Sequence, residues 1–280
     1  MDIEKSVDER PAGMLIYDYM LSWRIKRQLT LLLTVALVIG GIGFLIFYRF
    51  MPEATCFDDK KNQEEQDIDC GGPCIPCALK NPREISTFWV KFAKFSSGSF
   101  DTVAYLKNPN ELLGASEVSY EFELLDQIGA VVALRRGKTF FLPGEDFYIV
   151  ESNLMTSREP VFANFKITNI KWVFGEFKRP DMIVGERNLK KTDENGLKTV
   201  LETSVQNRSI FDFGIVEIGV LVFDESENLL GIQKSIEKNV LAGEKRSIDF
   251  FWPGDFNGRV TVVRVEPRVN ILDKENILRR

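Results

Sequence analysis

The residues best equipped for chemistry are four cysteines, Cys56, Cys70, Cys74 and Cys77, held in the stretch CFDDKKNQEEQDIDCGGPCIPC. Three chemistries suit thiols at this spacing: a tetrathiolate zinc site, dithiol redox exchange, or a pair of structural disulfides. Zinc usually takes two C-x2-C pairs, and only Cys74 and Cys77 form one. Cys74-Ile75-Pro76-Cys77 has the C-x-P-C form of a redox centre, whose reactive thiol needs a helix N-terminus to depress its pKa. Pro82 interrupts any helix soon after Cys77, so disulfides are the favoured reading. Sequence alone leaves all three pairings of four cysteines open.

Other reactive constellations are excluded by what is missing. The chain has no histidine among its 280 residues, which removes Ser/His/Asp and Cys/His nucleophiles and every His-ligated metal site. No G-x-S-x-G, P-loop or G-x-G-x-x-G string occurs. A carboxylate-based hydrolase needs only paired acids, but no pair stands out, and no enzyme is expected. A net charge of −5 argues against a nucleic-acid partner, which requires a concentrated basic surface.

That negative charge is local. Residues 53–77 hold seven acids and two lysines, a net of −5 that equals the excess of the whole chain. Asp58, Asn62, Glu65 and Asp69 are candidate oxygen ligands for calcium, which takes about six to eight such oxygens. A solvated acidic linker is the plainer reading. The stretch also resembles a short module of bacterial surface proteins, C-x-D-G-x2-N-x2-E-x-G-V-D-C-G-G-x-C-x2-C. Cys56, Asp58, Asn62, Glu65, Asp69, Cys70, Gly71, Gly72, Cys74 and Cys77 match it, while Asp59 and Asp67 stand where the pattern has glycine.

The compartment follows from the segment before the module. Leu29 to Phe47 is a run of 19 residues without a charge, which at about 1.5 Å per residue covers the hydrocarbon thickness of a bilayer. Arg24, Lys26 and Arg27 precede it and Arg49 alone follows. The positive-inside rule then places residues 1–28 in the cytoplasm and the rest outside, where thiols tend to be oxidised. A cleaved signal peptide is the rival reading. The first 28 residues read as a short tail with an amphipathic stretch from Met14 to Trp23.

The remaining chain carries a weak duplication. Asn108, Asp126 and Gly144 match Asn207, Asp224 and Gly243 at offsets of 99, 98 and 99. Val118, Tyr120, Phe122 and Leu124 alternate with Ser119, Glu121 and Glu123, the pattern of a strand with one wet face. Val216, Ile218, Val220 and Val222 repeat it, but Leu221 and Phe223 make the opposite face apolar, so that face is expected to be covered. The stretches 164–172 and 261–265 read as closing strands. A repeat of this size built from short strands and frequent turns means an Ig-like β-sandwich. Phe122-Glu-Leu-Leu-Asp126 and the later Pro-Gly-Glu resemble the FxLYD and late-embryogenesis-abundant type of Ig-like domain, modules of cell-envelope proteins with no chemistry assigned.

The expected architecture is mainly β: a tail (1–28), a transmembrane helix (29–50), a disulfide-rich acidic module (53–78), two tandem sandwiches (84–178 and 179–272) and a short C-terminal tail (273–280). The expected role is a non-enzymatic, single-pass protein of the cell envelope. It would have no cofactor, calcium apart, and the bilayer plus another envelope protein or a surface polymer as partners. A membrane-anchored subunit of a secretion, pilus or division assembly is the alternative. Arg135-Arg136-Gly-Lys138 and the loop Glu186–Lys198 between the repeats are candidate contact features, a solvated loop being the plainer reading of each, and Asn207-Arg-Ser is a glycosylation sequon only in a eukaryotic host.

Overall fold

The computed structural model describes residues 23–50, 55–192 and 198–278. The tail with its Met14–Trp23 stretch (Trp23 apart), Glu53 of the acidic segment and the middle of Glu186–Lys198 lie outside the described residues. The chain divides into two compact units, Met1–Thr55 and Cys56–Arg280.

In the first unit, α1 runs from Trp23 to Phe50, 28 residues of which none is buried. At roughly 1.5 Å per residue it is about 42 Å long, enough for a bilayer with its headgroup layers. Its two threonines do not disturb the apolar surface. Thr30 Oγ1 donates to Lys26 O and Thr34 Oγ1 to Leu31 O at 2.9 Å, so both hydroxyls are satisfied within the helix.

The second unit starts with the cysteine module, closed by the four-residue helix α2 (Cys77–Lys80). The first sandwich follows. Strands β1 (Ser86–Ser96), β2 (Ser99–Lys107) and β5 (Asp146–Met155) form one antiparallel sheet in the order β1-β2-β5; β3 (Leu113–Leu125), β4 (Val131–Phe141) and β6 (Phe162–Phe174) form the other, β4-β3-β6. The alternation seen in sequence is the packing. Val118, Tyr120, Phe122 and Leu124 are buried and meet Phe100, Leu106 and Phe147 of the facing sheet and Phe141 of neighbouring β4.

The second sandwich repeats this topology. β9 (Lys198–Asn207) pairs with β12 (Lys245–Pro253) and with the short strands β7 (Met182–Val184) and β8 (Asn188–Thr192). β10 (Asp212–Phe223) sits between β11 (Leu229–Val240) and β13 (Val262–Arg268), and β14 (Ile277–Leu278) adds to the β10 edge. Leu201, Val216, Ile218, Val220, Phe250 and Trp252 make its core.

The duplication extends to single hydrogen bonds. Asn108 Nδ2 donates to Leu113 O (2.6 Å) and Leu142 O (2.9 Å), while Asn207 Nδ2 donates to Phe211 O (2.8 Å) and Val240 O (3.4 Å). The N–H groups of these two asparagines donate to Glu145 O and Glu244 O, both at 2.9 Å. Those glutamates in turn accept from Leu142 N and Leu241 N, both at 2.7 Å. Each asparagine thus ties a strand end to a loop that has no ladder partner of its own, which is why both are fully buried. The hairpin aspartates match too: Asp126 Oδ1 accepts from Ile128 N and Ala130 N, and Asp224 Oδ1 from Ser226 N and Asn228 N.

The expected cover on the second copy's outer face is the first sandwich. Leu221, Phe223 and Ile232 pack against Ala93, Val103, Tyr148 and Val150 in a third core. The result is four sheets in a stack, β4-β3-β6, β1-β2-β5, β11-β10-β13 and β12-β9-β7. The two inner sheets are apolar on both faces, so β5 is buried continuously from Phe147 to Val150.

Candidate functional site: the cysteine module and the seam between the sandwiches

The four cysteines form two bridges, Cys56–Cys74 and Cys70–Cys77, with Cα separations of 5.6 and 4.8 Å. The pairing is crossed, with Cys70 lying in sequence inside the span of the other bridge. Gly71 and Gly72 sit at φ 80° and 57°. A Cβ on Gly71 would lie 2.9 Å from Gln66 N, and one on Gly72 2.7 Å from Glu64 O, so side chains are excluded at both. Asp59, where the resembled pattern has glycine, takes φ 56°, a left-handed conformation that aspartate tolerates.

The four candidate oxygen ligands are joined to one another by hydrogen bonds, with Glu65 and Asp69 buried and Asp58 and Asn62 half-buried. Glu65 Oε2 accepts from Asn62 N (3.2 Å) and Asp69 N (3.1 Å). Asp69 Oδ1 accepts from Asp58 N (3.0 Å) and Asp59 N (3.2 Å), and its Oδ2 lies 3.6 Å from Lys80 Nζ. Asp58 accepts from Lys60 N and Asn62 Nδ2. These carboxylates do the work that secondary structure does elsewhere, holding backbone N–H groups in a segment too short for a core. Cys56, Glu65 and Cys74 also converge, but the two sulfurs are bonded to each other and offer no thiolate.

A second set of chemically equipped residues lines the seam between the sandwiches. Its floor is aromatic. Tyr105 and Tyr148 stack with centroids 4.6 Å apart, Trp89 lies 5.8 Å from Tyr148, and Phe223 closes the edge 6.5 Å from Trp89. Tyr148 and Phe223 are buried, while Trp89 and Tyr105 remain half-exposed at the mouth. Two cations stand over these rings. Arg264 Nη1 donates to the Tyr148 hydroxyl at 2.6 Å with its guanidinium 5.5 Å from the Phe223 centroid. Lys91 Nζ lies 5.0 Å from the Trp89 centroid and donates to Glu227 O at 3.0 Å. Burial pushes the Tyr148 phenol up, and the neighbouring Arg264 opposes that shift. Together with Val262, these residues enclose a cleft of about 260 Å³. Beyond the β10–β11 turn the seam opens into a groove of about 650 Å³ lined by Phe92, Lys94, Leu230, Trp252, Asp255 and Phe256 among others.

Deeper in the seam, Arg268 of β13 clamps the first sandwich. It donates to Phe140 O, to Tyr148 O at 3.3 Å and to Thr139 Oγ1 at 3.4 Å, lies 3.6 Å from Glu145, and covers the rings of Phe140 and Phe147. Of these seam residues only Phe223 stood out in sequence, through the apolar face it shares with Leu221.

The basic stretch Arg135–Lys138 is not a loop. It lies on β4, where Arg136 pairs with Glu121 at 2.6 Å and Lys138 with Glu117 at 3.0 Å across the sheet. Of Glu186–Lys198, residues 188–192 form β8. Asn207 of the sequon is wholly inaccessible, with its amide already donating.

No family model matches this chain, and no curated protein does. Among solved structures it is similar to the calcium binding domain CBD12 of CALX1.1 (15% identity over 65% of this chain and 81% of that one, TM-score 0.18). It is also similar to CBD12 from CALX1.2 (15% identity, 64% and 81%, TM-score 0.19) and to red sea bream transglutaminase (12% identity, 68% and 30%, TM-score 0.21). TM-scores this low carry no argument about fold or function. The molecule's own geometry defines the class: a mainly β chain with, among the described residues, one helix long and apolar enough to cross a membrane, together with two disulfides and two Ig-like sandwiches.

Proposed function

We propose that this chain is a non-enzymatic cell-envelope protein, anchored by α1 with residues 1–28 in the cytoplasm, that presents its paired sandwiches outside the membrane to bind a partner. The observation that carries this reading is the seam. Two Ig-like units joined through a buried apolar core cannot act as independent beads, and they create clefts that neither possesses alone. Ligand sites occur preferentially at such domain junctions. The resemblance to bacterial surface modules supports the envelope assignment, and the boundaries 84–178 and 179–272 belong to this proposal. The oxygen cluster of the module serves its backbone, and calcium has no part in this reading.

Cross-linking of intact cells followed by capture of the full chain tests the role. Adducts that survive exchange of Leu29–Phe47 for an unrelated spanning sequence support binding by the sandwiches. Adducts lost on that exchange instead favour an assembly subunit acting through helix and tail. Orientation has its own test: after mild reduction of whole cells, a bilayer-impermeant maleimide should tag the four cysteines, and unlabelled cysteines would reverse the topology.

A further inference from the structure

From the aromatic cleft we infer that the seam binds an acidic sugar, a hexuronate or similar carboxylated saccharide, in a surface polymer. The inference rests on the binding role proposed above and names the ligand class for it. Saccharide recognition needs two kinds of surface at once. The C–H face of a pyranose is apolar and stacks on aromatic rings, while its rim of oxygens needs donors at the edge. Trp89 supplies the first at the cleft mouth, backed by Tyr148 and Phe223 and by Tyr105, whose own ring is packed between Tyr148 and Phe88.

The cations at the rim select for acid. Lys91 and Arg264 form no close ion pair among the described residues, with Asp224 acting on Lys91 and Glu266 on Arg264 at longer range. Arg264 spends one N–H on the Tyr148 hydroxyl, and that bond fixes the plane of its guanidinium. Its remaining donors form a fork suited to a carboxylate. Among the residues lining the cleft, Lys91 and Arg264 are the cations and Glu227 the acid. The cleft volume of about 260 Å³ sits near the lower end of ligand pockets, the scale of one or two sugar rings.

The test uses the full chain in detergent micelles, with tetragalacturonic acid, cellotetraose and inorganic phosphate as probes in calorimetric titrations. Tetragalacturonic acid is expected to bind saturably with a Kd on the order of 10⁻⁴ M, more weakly as salt rises. Cellotetraose and phosphate should each bind at least about tenfold more weakly, a difference of roughly 1.4 kcal/mol. Arg264→Gln and Trp89→Leu should each cost about tenfold or more, with unchanged melting as the check on folding. Absence of saturable heat, equal affinity for phosphate, equal affinity for the neutral sugar, or indifference to both substitutions overturns the inference. If cross-linking still captures a partner through the sandwiches while the acidic sugar fails, only the ligand class is lost and the binding role stands.

Discussion

If the seam is a third core, cutting into it must damage both sandwiches together. Leu221 decides the matter, because it projects from β10 away from its own sandwich and is 1% exposed. Truncation to alanine removes three carbons worth roughly 0.8 kcal/mol each, and the cavity left behind raises the cost to about 3–4 kcal/mol. With a urea dependence of about 3 kcal/mol/M for a unit of this size, the midpoint should fall by roughly 1 M. The assay reads each sandwich separately, since Trp172 packs on the first core and Trp252 lies in the second. Single-tryptophan versions, the other three replaced by phenylalanine, should unfold coincidently when Leu221 is intact. Leu221→Ala should move both traces by the same amount. Leu221→Asp, which strands a carboxylate in the seam, should split them. Separate traces in the parent, or a shift under about 0.3 M for Leu221→Ala, would show that the sandwiches are merely adjacent and refute the reasoning.

Three further outcomes follow from single groups. Asn108→Ala should cost about 2–4 kcal/mol and Asn207→Ala somewhat less, because each strands two buried carbonyls and the Asn207 bonds are longer; thermal melts measure both. Asp101, buried on β2 and accepting from Asn153 N at 2.8 Å, has its carboxyl pushed up to about 6 by desolvation. The folded state therefore holds this proton more tightly than the unfolded chain, near 3.9, so stability should fall as pH rises from about 4 to 6. Asp101→Asn should flatten that window and stabilise the protein at pH 7 by up to about 3 kcal/mol, seen in urea titrations at several pH values. Replacing Cys70 and Cys77 with alanine removes a bridge spanning 7 residues, worth roughly 2 kcal/mol to the module in the chain-entropy description. Amide exchange should quicken at Asp58, Asn62 and Asp69, whose N–H groups the module's carboxylates hold, while the tryptophan midpoints stay put.

What the sequence disclosed and what it concealed divide along the range of the interactions. Features fixed by near neighbours were legible. Alternation located β3 and β10, aspartates followed by open turns located two hairpins, and an uncharged run located α1. The repeat was legible because the same asparagine-to-glutamate tie is needed wherever this hairpin end lacks a ladder partner, so selection of residue type leaves an offset of 99 in the chain. Crossed disulfide pairing was not legible, because four cysteines in 22 residues satisfy any pairing by reach alone. Nor was the cleft, whose members come from β1, β2, β5, β10, β13 and a turn, and meet only after both sandwiches have formed and docked.

One clue did cross that range. An outer strand face carrying Leu221 and Phe223 would be an exposed apolar patch on a lone sandwich, and a monomeric domain tolerates little of that. Its cover had to be another part of the chain or another molecule, and the first sandwich supplies it through Val103, Tyr148 and Val150. The aromatic residues of that cover are larger than closure alone requires, since Trp89 and Tyr105 extend past the buried core to the seam mouth. The seam ends in the half-buried Trp89 ring beside two cations that form no close ion pair, and their spare donors are the physical reason to look for a ligand there.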